Sequence, residues 1–131
     1  RSAGQPVAAG HQVLLGDSMG ELLFLYALAD LAFVGGSLVP NGGHNLLEPA
    51  ALGKPVLSGG HVFNFLEIAA QMRTAGALAD VTTAGDLAQQ VVHLWRAPDA
   101  GAAMSRAGLA VMQANQGALA RLLEGLRRLM T

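Results

Sequence analysis

The residues of this chain best suited to chemistry lie together in Gly35-Gly36-Ser37-Leu38-Val39-Pro40-Asn41-Gly42-Gly43-His44-Asn45-Leu46-Leu47-Glu48-Pro49. The apolar run Leu31-Ala32-Phe33-Val34 before them reads as a buried strand, and Ala50-Ala51-Leu52-Gly53 after them as a helix with a glycine stop. Strand, glycine-rich loop and helix start together present free backbone N–H groups to an anion. Glycine lets the backbone approach a phosphate closely, because no Cβ intervenes. Glu48, one turn into such a helix, is a poor phosphate partner but a good acceptor for sugar hydroxyls. The loop therefore points to a nucleotide or nucleotide-sugar. It is neither a G-x-G-x-x-G fingerprint nor a Walker A loop, since no Gly-Lys-Ser/Thr follows.

Each of these residues also has a purely structural use. Asn45 and Glu48 have the spacing of a capping box, with Asn45 as N-cap and Glu48 beside the positive helix end. Gly42 and Gly43 serve as turn residues in any fold. His44 is either a loop donor to an anionic ligand or a structural hydrogen-bonder. A second constellation, Ser18-Met19-Gly20-Glu21, opens a helix. Ser18 and Glu21 form a capping-box pair there, while Met19 and Gly20 can offer backbone atoms to a ligand.

These loops need a frame, and the chain alternates short apolar runs with helical stretches. His11-Gln12-Val13-Leu14-Leu15 reads as a strand and Leu31–Val34 as a second. Pro55-Val56-Leu57 starts a third, and Ala77-Leu78-Ala79 a brief fourth. Between them the pattern predicts helices from Ser18 to near Asp30, from about Asn45 to Leu52, and from Asn64 to Thr74. Gly53 and Gly76 act as stops. Thr82 or Thr83 caps a further helix carrying Leu87, Val91, Leu94 and Trp95 at helical spacing. Pro98 breaks that helix, a short one follows to about Val111, and Gln116–Thr131 forms the last. Leu119, Leu122, Leu123, Leu126 and Met130 are the apolar stripe of that last helix, with Arg121, Arg127 and Arg128 elsewhere on it. Alternation of this kind predicts an α/β fold with a parallel sheet and right-handed crossovers. Ligands in such sheets bind outside the carboxyl ends of the strands. Those ends are Gly16-Asp17-Ser18, Gly35–His44 and Ser58–His61, expected along one edge. Doubly wound sheets have about five to seven strands, so four predict a Rossmann-like sheet that begins upstream of Arg1.

Composition excludes several alternatives. The 131 residues suit one domain with a real core. Hydrophobic content of 52% against 13% charged residues argues against disorder. A net charge of −1 leaves no electrostatic footprint for nucleic acid. Cysteine is absent, which removes disulfides and thiolate metal sites. His11, His44, His61 and His93 lack the i, i+4 pairing of a helical zinc site. No apolar stretch is long enough to span a bilayer. Arg1-Ser2-Ala3-Gly4-Gln5-Pro6 has no apolar stretch following its charge, so it reads as a mid-loop start and not a signal peptide.

Beyond single motifs, Val13–Leu22, Tyr26 with Ala29-Asp30, and Ala32–Val39 resemble the Kdo transferases, the 3-deoxy-D-manno-octulosonic acid transferases of lipopolysaccharide assembly. The resemblance continues through Gly42–Ala50, Gly53–Val56, Gly60-His61, Asn64-Phe65 and Ile68, roughly residues 12 to 70. It implies a two-domain glycosyltransferase B fold, of which residues 1–131 are part of the C-terminal donor-binding domain. It implies a complete enzyme that moves Kdo from CMP-Kdo to a lipid A precursor with inversion, at the cytoplasmic face of the bacterial inner membrane. No metal or cofactor is implied. The catalytic carboxylate base and the acceptor site belong to the N-terminal domain, and a basic Arg-His-Pro loop precedes Arg1. The chain by itself is then expected to be a soluble fragment with no catalytic residue and no transferase activity.

By the same resemblance, Met19, Gly20 and Glu21 lie where the family contacts CMP. Glu48 is assigned to the ribose hydroxyls, and Asn45 with the helix N-terminus to the phosphate side. Leu46 and Leu47 contribute backbone or packing, and Gly42, Gly43 and His44 form a supporting loop. His61 and Asn64 are expected to pack a loop and cap a helix. His93 and Trp95 are expected to be structural, and Arg127-Arg128 a solvated face. The chain departs from the family pattern at Ser18, where threonine is common, and at Leu46 and Gly60, where proline is frequent. The last change loosens its loop. A UDP-sugar glycosyltransferase or epimerase of the same architecture, and a non-enzymatic α/β module, are the alternatives.

Overall fold

Three short apolar runs lie side by side as a parallel sheet in the order β1 (Ala32–Val34), β2 (Val56–Ser58), β3 (Leu78–Asp80). Ala32 stands opposite Val56 and Val56 opposite Leu78, and the register runs in step to Val34, Ser58 and Asp80. The computed structural model describes residues 6–130, with side chains of the last helix described through Gly117 and at Glu124. All of β2 is buried. A central parallel strand is covered on both faces, which is why it reads as an unbroken apolar run.

Helices α1 (Leu22–Leu28), α2 (Leu47–Ala51), α3 (Leu66–Thr74), α4 (Ala84–Arg96) and α5 (Pro98–Met130) complete the chain. The connection from β1 to β2 runs through α2, and that from β2 to β3 through α3. The core joins Val34, Val56 and Leu78 of the sheet to Leu46 and Ala50 around α2, to Ala69 and Met72 of α3, and to Val111 of α5. Gly108 brings α5 close to α2, its Cβ position lying 3.4 Å from the Ala50 Cβ.

The predicted stops are real. Gly53 and Gly76 have positive φ, 66° and 73°, at the ends of α2 and α3. Behind Gly76 the Ala77 N–H reaches the Met72 carbonyl at 2.8 Å, the long bond of a Schellman end. Thr83 caps α4 with a full capping box against Asp86. The many hydrogen bonds from Thr82 and Thr83 hold the Asp86 carboxyl below its usual value of 3.8.

Other expectations need correction. The run His11–Leu15 is not a strand, because none of the three described strands pairs with it. Val13 is 86% exposed. An apolar run becomes a strand only when a neighbour satisfies its backbone and buries one of its faces. Gly16–Ser18 is therefore not delivered to the sheet edge by a strand of its own. The first helix starts at Leu22 and not after Ser18, with no side-chain cap, although Ser18 Oγ does hydrogen-bond Glu21. Helix α3 begins at Leu66 behind Phe65, so Asn64 does not cap it. The two last predicted helices are one continuous helix of 33 residues, α5. No proline interrupts it after Pro98, and a glycine within a helix costs only about 1 kcal/mol. At the expected break, Asn115 Nδ2 bonds the Val111 carbonyl at 2.8 Å and Gln71 of α3 at 3.1 Å. The side-chain readings for Leu119–Met130 and Arg127-Arg128, and the start Arg1–Gln5, fall outside the described residues.

Candidate functional site

Strand β1 ends at Val34 and β2 at Ser58, so the loops that follow both leave the carboxyl edge of the sheet. They are bonded to each other. Ser37 Oγ accepts the Gly59 N–H at 2.8 Å, and the Ser37 carbonyl accepts the His61 N–H at 2.9 Å. The Gly42 carbonyl accepts the Asn64 N–H at 3.3 Å. The first loop also closes on itself, Gly43 N–H to the Gly36 carbonyl at 2.9 Å.

The glycines here are required by shape. Gly36, Gly42 and Gly43 have φ of 67°, 90° and 74°, a region closed to most side chains. A Cβ on Gly36 would stand 3.1 Å from His44 Nε2, so the exposed imidazole lies over a bare stretch of backbone. A Cβ on Gly42 would overlap the Asn64 amide and the Phe63 ring.

Past these turns the loop enters α2. Asn45 Oδ1 accepts the Leu47 N–H at 3.0 Å, and Asn45 Nδ2 donates to Glu48 Oε1 at 3.2 Å. The capping box expected of this pair is not formed, since Leu46 stands at the N-cap of α2 with no side-chain cap; Asn45 instead covers the Leu47 amide and bonds the Glu48 carboxylate. Glu48 is half-buried, and its Oε2 meets no hydrogen-bond donor among the described residues. Leu46 is fully buried in the core, so it can present only its backbone to a ligand, while Leu47 is partly buried against that core.

The second constellation adjoins the first through α1. Helix α1 lies against α2. Lys54 Nζ, just after α2, donates to the Ala27 carbonyl at 3.0 Å. Burial, with the nearby Glu48 carboxylate as the second cause, pushes the Tyr26 phenol above its usual value of 10.0. Tyr26 is thus a neutral hydroxyl facing the field of Glu48. Met19 is almost wholly exposed, Gly20 turns with φ 81°, and Glu21 stands at the N-cap position of α1.

The arrangement offers an acceptor, loop amides and an imidazole. Among the described residues no group of three or more histidines and carboxylates is placed to hold a metal. An open groove of about 610 Å³ lies elsewhere, lined by Asp30, Leu31, Pro55, Trp95 and Ser105 among others. Asp30, Leu31 and Pro55 precede β1 and β2, so this groove is at the amino ends of the strands and contains none of the residues assigned to the nucleotide. Trp95 is exposed there, at variance with a packing role, and His93 is exposed too.

Sequence reasoning placed Ser37, Gly59 and Tyr26 within its motifs but gave none of them a role of its own. Ser37 directly follows two glycines at a strand end, which is the signal that it sits where two loops meet. The resemblance includes Tyr26, but its nearness to Glu48 had no local signal, because it depends on how two helices pack.

No family model matches the chain. The chain is 44% identical over 117 residues to the 3-deoxy-D-manno-octulosonic acid transferase of Haemophilus influenzae, and 42% identical over 127 residues to that of Bordetella pertussis. Over most of its length the chain is thus similar to part of the Kdo transferases. The matches take in 88% and 96% of this chain but 27% and 30% of those relatives, so the chain spans less than a third of their length. Among solved structures, the C-terminal CMP-Kdo binding domain of WaaA from Acinetobacter baumannii matches with a TM-score of 0.75 at 42% identity. That match covers 86% of this chain and 58% of the WaaA chain. The open α/β sheet expected from the alternation of strands and helices is present, with three parallel strands among the described residues, and it is similar to that solved CMP-Kdo binding domain.

Proposed function

We propose that residues 1–131 are the larger part of a donor-nucleotide-binding domain in a glycosyltransferase that moves Kdo from CMP-Kdo to a lipid A precursor. One observation carries the reading. The oriented carboxylate of Glu48 stands at the carboxyl edge of a parallel sheet, in a chain 42% identical to a solved CMP-Kdo binding domain. Glu48 takes the ribose hydroxyls through Oε2, while Asn45 holds Oε1 and fixes the rotamer. Asn45 has already spent its Oδ1 on the Leu47 N–H, so the phosphate side falls mainly to loop amides near His44, with Gly42 and Gly43 allowing the close approach. Met19, Gly20 and Glu21 complete the nucleotide contact from α1. This reading assigns no metal or cofactor.

The catalytic base and the lipid A precursor site lie outside these residues, and the whole protein works at the cytoplasmic face of the inner membrane. No described helix is long and apolar enough to cross a membrane. The identity to a CMP-Kdo binding domain favours a cytidine nucleotide over the UDP-sugar alternative.

Calorimetric titration of the full-length protein with CMP and with UDP tests this. A carboxylate hydrogen bond contributes about 1.5–3 kcal/mol, so Glu48→Ala should weaken CMP binding about tenfold or more. Glu48→Gln should lose less, because the amide keeps one acceptor. Unchanged affinity together with a lowered melting temperature would make Glu48 a helix-end residue only.

A further inference from the structure

Ser37 is a fully buried polar residue outside the residues assigned to the nucleotide. A buried hydroxyl is destabilising unless its hydrogen bonds are made. Here both are. Ser37 Oγ donates to the Val34 carbonyl at 2.6 Å and accepts the Gly59 N–H at 2.8 Å. The backbone carbonyl of the same residue accepts the His61 N–H at 2.9 Å. One residue beyond β1 thus holds two amides of the loop beyond β2. Gly59 answers in shape: it is buried, and any Cβ there would overlap the Ser37 carbonyl and come within 2.6 Å of the Leu38 nitrogen.

This contact has a direction toward the site. Gly43 N–H to the Gly36 carbonyl brackets the loop on either side of Ser37, and Asn64 N–H to the Gly42 carbonyl repeats the tie at its far end. The chain leaves these ties at His44 and Asn45, and Asn45 holds Glu48. The loop that orients Glu48 is therefore placed relative to the sheet by the Ser37–Gly59 contact.

We propose that Ser37 and Gly59 are positioning residues for the nucleotide. They touch no ligand and set where Glu48 stands. The proposal rests on Glu48 binding the nucleotide, and it adds the device that holds Glu48 in place. A site loosened by about 1 Å loses much of its effect, because hydrogen bonds to a ligand are steep in distance and angle.

The test is a double-mutant cycle on the intact protein. CMP affinity is measured for wild type, Ser37→Ala, Glu48→Ala and the double variant, with thermal unfolding of each. If Ser37 acts through Glu48, Ser37→Ala weakens CMP about fivefold to tenfold alone and less than about twofold in the Glu48→Ala background. Ser37→Thr, which keeps the hydroxyl, stays closer to wild type than Ser37→Ala. Amide exchange at Gly59 and His61 speeds up in Ser37→Ala. Equal weakening in both backgrounds, or a lower melting temperature with unchanged affinity, overturns the proposal while the role of Glu48 stands. Unchanged affinity in Glu48→Ala alone removes the nucleotide reading and this proposal with it. Should Ser37→Ala fail to fold, Ser37→Cys carries the same cycle, since its thiol fills the space with weaker hydrogen bonds.

Discussion

At the scale of single residues, Asn45 and Glu48 show that a structural role and a binding role need not exclude each other. Asn45 covers the Leu47 amide at the start of α2 and bonds Glu48 Oε1, while Oε2 meets no donor among the described residues. Tyr26 senses that carboxylate and gives a direct reading of it. It is the only tyrosine of the chain, so phenolate absorbance at alkaline pH follows it alone. Its folded value lies above 10.0, through burial first and Glu48 second. In Glu48→Gln the burial remains and the charge is gone. The Tyr26 titration should therefore move down towards 10.0 without reaching it. The sign for stability follows. With the folded value raised, the unfolded chain gives up the phenol proton first, so stability falls as pH rises past 10.0. That fall should be shallower in Glu48→Gln. A Tyr26 titration identical in both proteins would mean that α1 does not hold the phenol near Glu48.

At the scale of elements, the same local pattern met two different fates. Thr83 and Asp86 form a complete capping box, and α4 starts where the pattern says. Ser18 Oγ bonds the Glu21 carboxylate without capping a helix, and the helix starts later, at Leu22. Helix α4 buries Leu94, whereas α1 buries no residue fully, so packing does not hold the first turn of α1 in register. Packing also decided α5. Residues 112 to 115 fall between two predicted helices, yet α5 runs through them, with Asn115 bonded to Gln71 of α3. In a continuous helix Gly117 is an interior glycine. Gly117→Ala should then stabilise the fold by about 0.5–1 kcal/mol, read as a raised denaturant midpoint at unchanged slope. A midpoint that stays put or falls would indicate that the helix does not run straight through Gly117.

At the scale of the whole molecule, the chain is a sheet with its loops knitted at one edge, and it spans 27–30% of the relatives it resembles. An oriented acceptor and a ring of amides can bind a donor, but transfer also needs a base and an acceptor substrate held opposite. The chain alone should give no transfer of Kdo from CMP-Kdo to a lipid A precursor, assayed by product formation with a labelled donor. Turnover by the purified 131 residues would show that the chemistry lies within them.

Three strands, the glycine stops, the Thr83 cap and the Gly35–Glu48 loop were legible because each is written within a few neighbouring residues: a buried apolar run, a positive-φ glycine, a hydroxyl three residues before a carboxylate. Homology was legible for the same reason, as ordered motifs over residues 12 to 70. The non-strand course of the run at Val13, the length of α5, the placement of Tyr26 beside Glu48 and the burial of Ser37 against Gly59 were not. Each depends on what lies next to it in space, and pairing, close packing and the satisfaction of a buried hydroxyl are properties of neighbours that the order of residues brings together only on folding.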